Sequence, residues 1–125
     1  MLGDKDVIAT VAVKDLELAR KFYEGKLGLK VKSVEGSEAV TFQSGRSELI
    51  VYRSQYAGTN KATALNWRVG EGIEKEVAAL REKGVTFEHY DMPGMKLEGD
   101  IHVMDHMKVA WFKDPDGNIL NLING

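Results

Sequence analysis

The sequence predicts an α+β protein made of two βαβββ modules, a curved mixed sheet wrapped around a cleft. Three observations carry that expectation. A strand-helix-strand-strand-strand order of apolar patterns occurs twice within 125 residues. The landmarks of the two copies align, Val13 with Val69, and a glycine ends each helix at the same distance onward, Gly28 and Gly84. Hydrophobic residues at 43% and charged residues at 29% suit one soluble domain. That domain is expected to span residues 1–125, with module one over about 5–54 and module two over about 62–125.

The first strand is expected over Val7–Val13. Val7, Ala9, Val11 and Val13 form one face and Ile8, Thr10 and Ala12 the other, so both sides should be covered. Asp15 is placed to cap a helix, because its carboxylate accepts the orphan amides of a first turn. Leu16, Ala19, Phe22, Tyr23 and Leu27 recur at helical spacing, and Gly28 sits where a left-handed C-terminal cap belongs. Phe22 and Tyr23 read as core packing. Strands follow at Lys30–Val34, Ala39–Ser44 and Glu48–Arg53, separated by EGSE and SGRS turns. After a polar connector, SQYAGTNKA, the pattern restarts with a strand over Ala64–Val69 and a helix carrying Ile73, Val77 and Leu80. Val85–Tyr90, Lys108–Lys113 and Ile119–Ile123 complete the second copy.

The copies differ at one place. Between its second and third strands module two has a long loop, Asp91 to Met107, holding four of the five Met and two of the three His. A Met-rich segment suits an adaptable cover over an apolar ligand, or a flap against its own domain or a partner subunit.

Several function classes are excluded by composition. With no Cys, disulfides, thiolate catalysis and Cys-zinc sites are impossible. A net charge of −2 argues against nucleic-acid binding. No apolar run approaches the ~20 residues of a membrane span, so no membrane partner is expected. The acidic N-terminus does not read as a signal peptide, and a cytoplasmic location is the default.

Two segments resemble a known superfamily. VAVKDLELARKFYEGKLGLKV is similar to the opening, and AWFKDPDGNILNLI to the closing segment, of the vicinal oxygen chelate superfamily of glyoxalases, bleomycin-resistance proteins and extradiol dioxygenases. The resemblance implies the two-module fold, and its scaffold hosts many chemistries. Read without it, Asp114-Pro115-Asp116-Gly117 is a turn, and Asp114 and Asp116 are turn-makers rather than catalytic carboxylates.

For metal-dependent members the resemblance implies four ligands, one from the first and one from the fourth strand of each module. Those positions fall here on Ile8, on Ala64, on Asn121 and on either Glu48 or Ile50. Ile and Ala have no lone pair to donate, and Asn is a poor ligand without carboxylate or imidazole company. The expectation is therefore a chain with no metal and no other cofactor. A substitute cluster, Asp100, His102, Asp105 and His106, has residue types that coordinate zinc or nickel. Its solvated-loop reading is preferred to a divalent metal held by His102 and His106. His89 reads as a structural histidine.

If Ile8 faces the cleft, so do Thr10 and Ala12. The repeat adds Asn66 and Arg68 beside Ala64, and Asn121 beside Ile119 and Ile123, while Leu120 and Leu122 face the helix side. The polar handles of this apolar cleft are Thr10, Asn66, Arg68, Asn121 and Tyr52, with Trp111 and His102 beside the Met-rich loop. Arg68 either meets an anionic ligand or pairs with Glu48, and the internal pair is favoured. Trp111 stacks on a flat ligand or anchors the core, and packing is favoured. The function expected is metal-free binding of a small, partly apolar or aromatic molecule by a homodimer. The alternatives are a lyase, isomerase or dioxygenase with a non-standard metal site, and a regulatory module whose cleft is filled by its own side chains. No Ser-His-Asp or paired-carboxylate constellation is present, so no catalytic residue is named.

Overall fold

In the computed structural model, which describes residues 1–125, strand β1 (Ala9–Val13) buries Val11 and Val13, while Ala12 between them is half-buried and Thr10 is exposed. It was expected from Val7 and covered on both sides. It starts two residues later, because the parallel ladder to β4 (Ser47–Arg53) begins at Ala9↔Leu49 and nothing pairs with residues 7 and 8. Val7 and Ile8 are accordingly exposed. Asp15 does cap α1 (Leu16–Arg20), its Oδ1 accepting the Glu17 and Leu18 amides at 2.9 and 3.2 Å. The helix then widens into a π turn over Lys21–Lys26, where the Leu27 amide reaches back five residues to the Phe22 carbonyl at 2.9 Å. Gly28 adopts φ 77°, and the Leu29 amide donates to the Tyr23 carbonyl, which closes the end.

Two further strands, β2 (Lys30–Glu35) and β3 (Ala39–Ser44), complete a sheet of order β1-β4-β3-β2. Val11, Val13, Val40, Phe42, Leu49 and Val51 are buried from it, and Ala19, Phe22 and Tyr23 from the helical segment. Tyr23 ties the two layers, its ring 5.9 Å from that of Phe42. Each such apolar side chain contributes about 1.5–3 kcal/mol on burial.

The chain divides into two compact units, and this first one runs from Met1 to Gly58, the second from Thr59 to Gly125. In the second, β5 (Thr63–Arg68), α2 (Ile73–Glu82) and β6 (Phe87–Glu88) precede β7 (Lys96–Glu98), β8 (Ile101–Met104), β9 (Met107–Lys113) and β10 (Ile119–Ile123). Strand order is β5-β10-β9-β8-β7, and β6 also pairs with β9. One face packs Phe112 between Phe87 and Trp67, with Leu120 and Leu122 beside it. No helix is long and apolar enough to cross a membrane.

Two expectations are corrected here. The strand expected over Val85–Tyr90 is only Phe87–Glu88, since β9 offers partners to those two residues alone. The segment Asp91 to Met107 is not a loop but contains the β7–β8 hairpin, continuing into β9. Gly99 at φ 64° opens the first two-residue turn, and Asp105 at φ 55°, a residue type that tolerates this region, opens the second.

Lys108 on β9 donates to Glu74 of α2 at 2.5 Å. The pair lowers the Glu74 pKa below 4.5 and raises that of Lys108 above 10.5, mainly through the shared hydrogen bond. A lowered carboxyl stabilises the fold above its unfolded value and loses that contribution as pH falls. A raised ammonium stabilises it below its unfolded value and loses it as pH rises. The Lys108→Met variant should therefore lose a small stability increment between about pH 5 and 10 and none at either extreme. Urea midpoints of both proteins across pH check this, and a constant gap at every pH would refute it.

Candidate functional site

Strand β9 has one edge shared by two partners. His102↔Val109 pairs it with β8, and Phe87↔Phe112 and Glu88↔Trp111 pair it with β6. Where β6 ends and β8 stands beside it, Tyr90 comes to lie over His102. The Tyr90 amide donates to His102 Nε2 at 2.9 Å, so that nitrogen carries a lone pair and the neutral ring bears its proton on Nδ1. The rings of Tyr90 and His102 stack at 6.2 Å, and Trp111 stands edge-on to both, at 5.3 and 4.9 Å. His102 is 1% exposed, which corrects the reading of it as part of a solvated loop. Its place in β8, opposite Val109, turns it inward.

Beside this cluster lies a hollow of about 370 Å³, lined by Thr63, Tyr90, Met92, Trp111, Ile119 and Lys61 with Ala62. The Trp111 indole N–H donates to Thr63 Oγ1 at 3.2 Å, which fixes the ring as one wall. Trp111 is only half-buried, unlike Phe112 after it. Thr63, Tyr90 and Ile119 were not singled out as ligand contacts. The sequence pattern makes Tyr90 the end of a strand, and Thr63 lies one residue before the strand expected at Ala64. Their signal was the alternation itself, since Thr63↔Ile119 and Asn121↔Trp111 are register pairs on one face.

Asn66, Asn121 and Trp111 stand in one cross-strand row, as period two predicts. Asn121 is 6% exposed and its Oδ1 is buried without a hydrogen-bond partner, as are His102 Nδ1 and the Tyr90 hydroxyl. Asn66 and Arg68 are exposed. Arg68 forms no ion pair within its own unit, and Glu48, the partner favoured for it, is not free in the other. Glu48 is instead bound by Lys32, the extra residue at the bulge of β2. In the first unit Thr10, Ile50 and Thr41 form another cross-strand row, and Ala12, Tyr52 and Ala39 the next. Glu48 and Ile50 therefore share a strand face with Tyr52, opposite the buried Leu49 and Val51. Around them Thr10 and Tyr52 are exposed.

The four positions that the resemblance assigns to a metal do not fit one. Ile8 precedes its strand and has no donor atom. Ala64 is the inserted residue of a bulge between the Thr63↔Ile119 and Leu65↔Leu120 pairs. Glu48 is engaged by Lys32, Ile50 is aliphatic, and Asn121 offers one neutral carbonyl. The substitute cluster disperses as well. Asp100 is held by His89 at 2.7 Å and Arg81 at 3.0 Å, His102 faces its aromatic neighbours, and Asp105 and His106 form an exposed turn. No group of three or more His, Asp or Glu side chains comes together to hold a metal ion.

Comparison with known proteins bears on this geometry. The family model described as Glyoxalase/Bleomycin resistance protein/Dioxygenase superfamily matches residues 7–122. No curated protein matches the chain in sequence. Among solved structures, a glyoxalase family protein from Enterococcus faecalis is similar at TM-score 0.74 and 22% identity, covering 98% of this chain and 99% of its own. A lactoylglutathione lyase from Agrobacterium tumefaciens matches at 0.71 and 16%, covering 95% and 92%. The fosfomycin resistance protein FosX from Mesorhizobium loti matches at 0.69 and 14%, covering 98% and 92%. At these identities the likeness is one of fold.

Proposed function

The chain belongs to the Glyoxalase/Bleomycin resistance protein/Dioxygenase superfamily, and from that premise we propose that it binds a small, partly apolar or aromatic molecule without a metal. The observation that carries this reading is the hollow on the second sheet. Its volume of about 370 Å³ falls in the range of small-molecule sites. Its walls are an indole, a phenol ring, a thioether and an isoleucine, with the Thr63 hydroxyl and the Lys61 ammonium as polar points. An aromatic ring slid between Trp111 and Met92 would exchange water for polarisable surface on both sides. The donor set at the metal positions supports binding rather than metal-assisted chemistry, because aliphatic side chains hold two of the four places.

A thermal-shift screen of aromatic compounds in the presence and absence of EDTA tests this. A ligand at about a hundredfold excess over its Kd adds roughly 2.7 kcal/mol, which moves the midpoint by several degrees. The shift is expected to be the same with EDTA and to vanish in Trp111→Ala. Stabilisation or turnover that needs added nickel, zinc, manganese or iron would overturn it.

A further inference from the structure

We propose that the hollow takes an aromatic carboxylate carrying a single negative charge, with Lys61 as its counter-charge. The inference rests on the binding reading above and deepens it by naming the ligand class.

The first observation is where polarity sits. The apolar walls supplied by Tyr90, Trp111 and Ile119 are half-buried, whereas Lys61 and Thr63 are exposed. The hollow therefore grades from an apolar interior to a polar rim. That gradient suits an amphiphile whose ring goes in and whose head group stays at the mouth. A charged head at the rim keeps part of its hydration, so its binding avoids the full cost of burying an ion.

The second is the kind of polarity. An ammonium donates hydrogen bonds and has no lone pair. Thr63 Oγ1 already accepts the Trp111 indole N–H, which leaves its own proton to give. The Ala62 amide between these residues donates to Asn60 Oδ1 at 3.0 Å, which holds Lys61 in a turn at the entrance. Both rim side chains thus ask for an acceptor.

The third is charge. Lys61 is the one charged residue among those that line the hollow. It makes no ion pair or hydrogen bond, while Lys108 and Lys113 of the same unit are matched by Glu74 and Glu88. Donors and an unmatched cation beside an apolar interior select a head that is negatively charged and accepts without donating. A carboxylate is that group. One cation balances one negative charge, so the second charge of a phosphate monoester would find no partner here.

The probes are β-naphthoate and its neutral amide, which share a ring system and differ in the charge of the head, with cationic β-naphthylmethylamine as the control. NMR titration at low salt follows the indole N–H signal of Trp111, identified by its loss in Trp111→Ala. That signal should move with both naphthoate and the amide, and naphthoate should bind about fivefold tighter. Raising NaCl to about 1 M should bring the two within about twofold. Lys61→Gln, at an exposed position that leaves the fold intact, should equalise them, and Lys61→Arg should keep the preference. Equal affinities in the wild type, tighter binding of the amine, or a preference that survives Lys61→Gln would overturn the carboxylate assignment. In each of those cases a moving Trp111 signal would keep the hollow as an aromatic site. A Trp111 signal unmoved by all the probes would overturn both readings.

Discussion

Replacing Phe112 with Ala is expected to lower stability by about 3–5 kcal/mol, while the same change at Trp111 costs far less and abolishes ligand binding instead. The two are neighbours on β9 and point to opposite faces of the sheet. Phe112 is fully buried, stacked at 6.3 Å on Trp67 and edge-on at 5.6 Å to Phe87, with Leu120 as its register partner. Its removal leaves a cavity that two aromatic side chains and a leucine cannot close. Trp111 is half-buried and wall to an open hollow, so an alanine there loses two edge-on ring contacts, each worth about 0.5–1.5 kcal/mol, and the hydrogen bond to Thr63, but no core. Urea denaturation of both variants, with any thermal-shift hit titrated in parallel, separates the roles. Equal destabilisation by the two substitutions would make Trp111 a core residue and remove the principal wall of the proposed site.

That contrast depends on a distinction the sequence carries well and one it carries poorly. Periodicity placed β3 over Ala39–Ser44 and β10 over Ile119–Ile123 with their observed ends, because both are bounded by turns whose residues announce themselves. Asp15 and Gly28 are legible for the same reason, each being satisfied by backbone within a few residues. Strand starts are not local facts. β1 begins at Ala9 because its ladder opens at Leu49, two residues inside β4, and the Ala64 bulge exists only relative to β10. The β7–β8 hairpin was hidden differently. Its strands are only Lys96–Glu98 and Ile101–Met104, too short for alternation to stand out, and the high share of Met suggests a cover. Yet Gly99-Asp100 and Asp105-His106 were already two turn signals at hairpin spacing.

The site was legible to the level of a face but not of a contact. Alternation set Asn66 and Asn121 on one face, and the register pairs them, with Trp111 next in the same row. It gave no account of Tyr90, whose position follows from two strands dividing one edge of β9. Nor could it bury His102, since a histidine in a polar loop and a histidine opposite a valine in a ladder look alike in one dimension. Arg68 shows the reverse error. Charge complementarity paired it with Glu48, while the bulge in β2 delivers Lys32 to that carboxylate first. Residue chemistry at the metal positions needed no geometry at all, because Ile8 and Ala64 have no donor in any conformation.

The other large effect lies in the closing turn, where Asp114→Ala should cost about 2–4 kcal/mol without touching the hollow. Asp114 is 5% exposed, and its carboxylate is the hub of the turn. One oxygen accepts the amides of Asp116 and Asn118, both at 2.9 Å, and the other accepts the Asn118 side-chain amide at 2.7 Å. The Asp114 amide and carbonyl close the same loop, to the Asn118 carbonyl and from the Gly117 amide, each at 3.0 Å. Alanine strands three donors, two of them on the buried Asn118, at the point where the chain enters β10. Asp114→Asn keeps the acceptor for the two backbone amides but sets one NH2 group against another, and should fall between. Chemical denaturation at pH 7 ranks the three proteins, and the ligand affinity of whatever fraction is folded should be unchanged. If Asp114→Ala instead kept its stability and lost binding, the DPDGN segment would be part of the recognition surface. With three hydrogen bonds of its own turn on a buried carboxylate, stability is where the loss belongs.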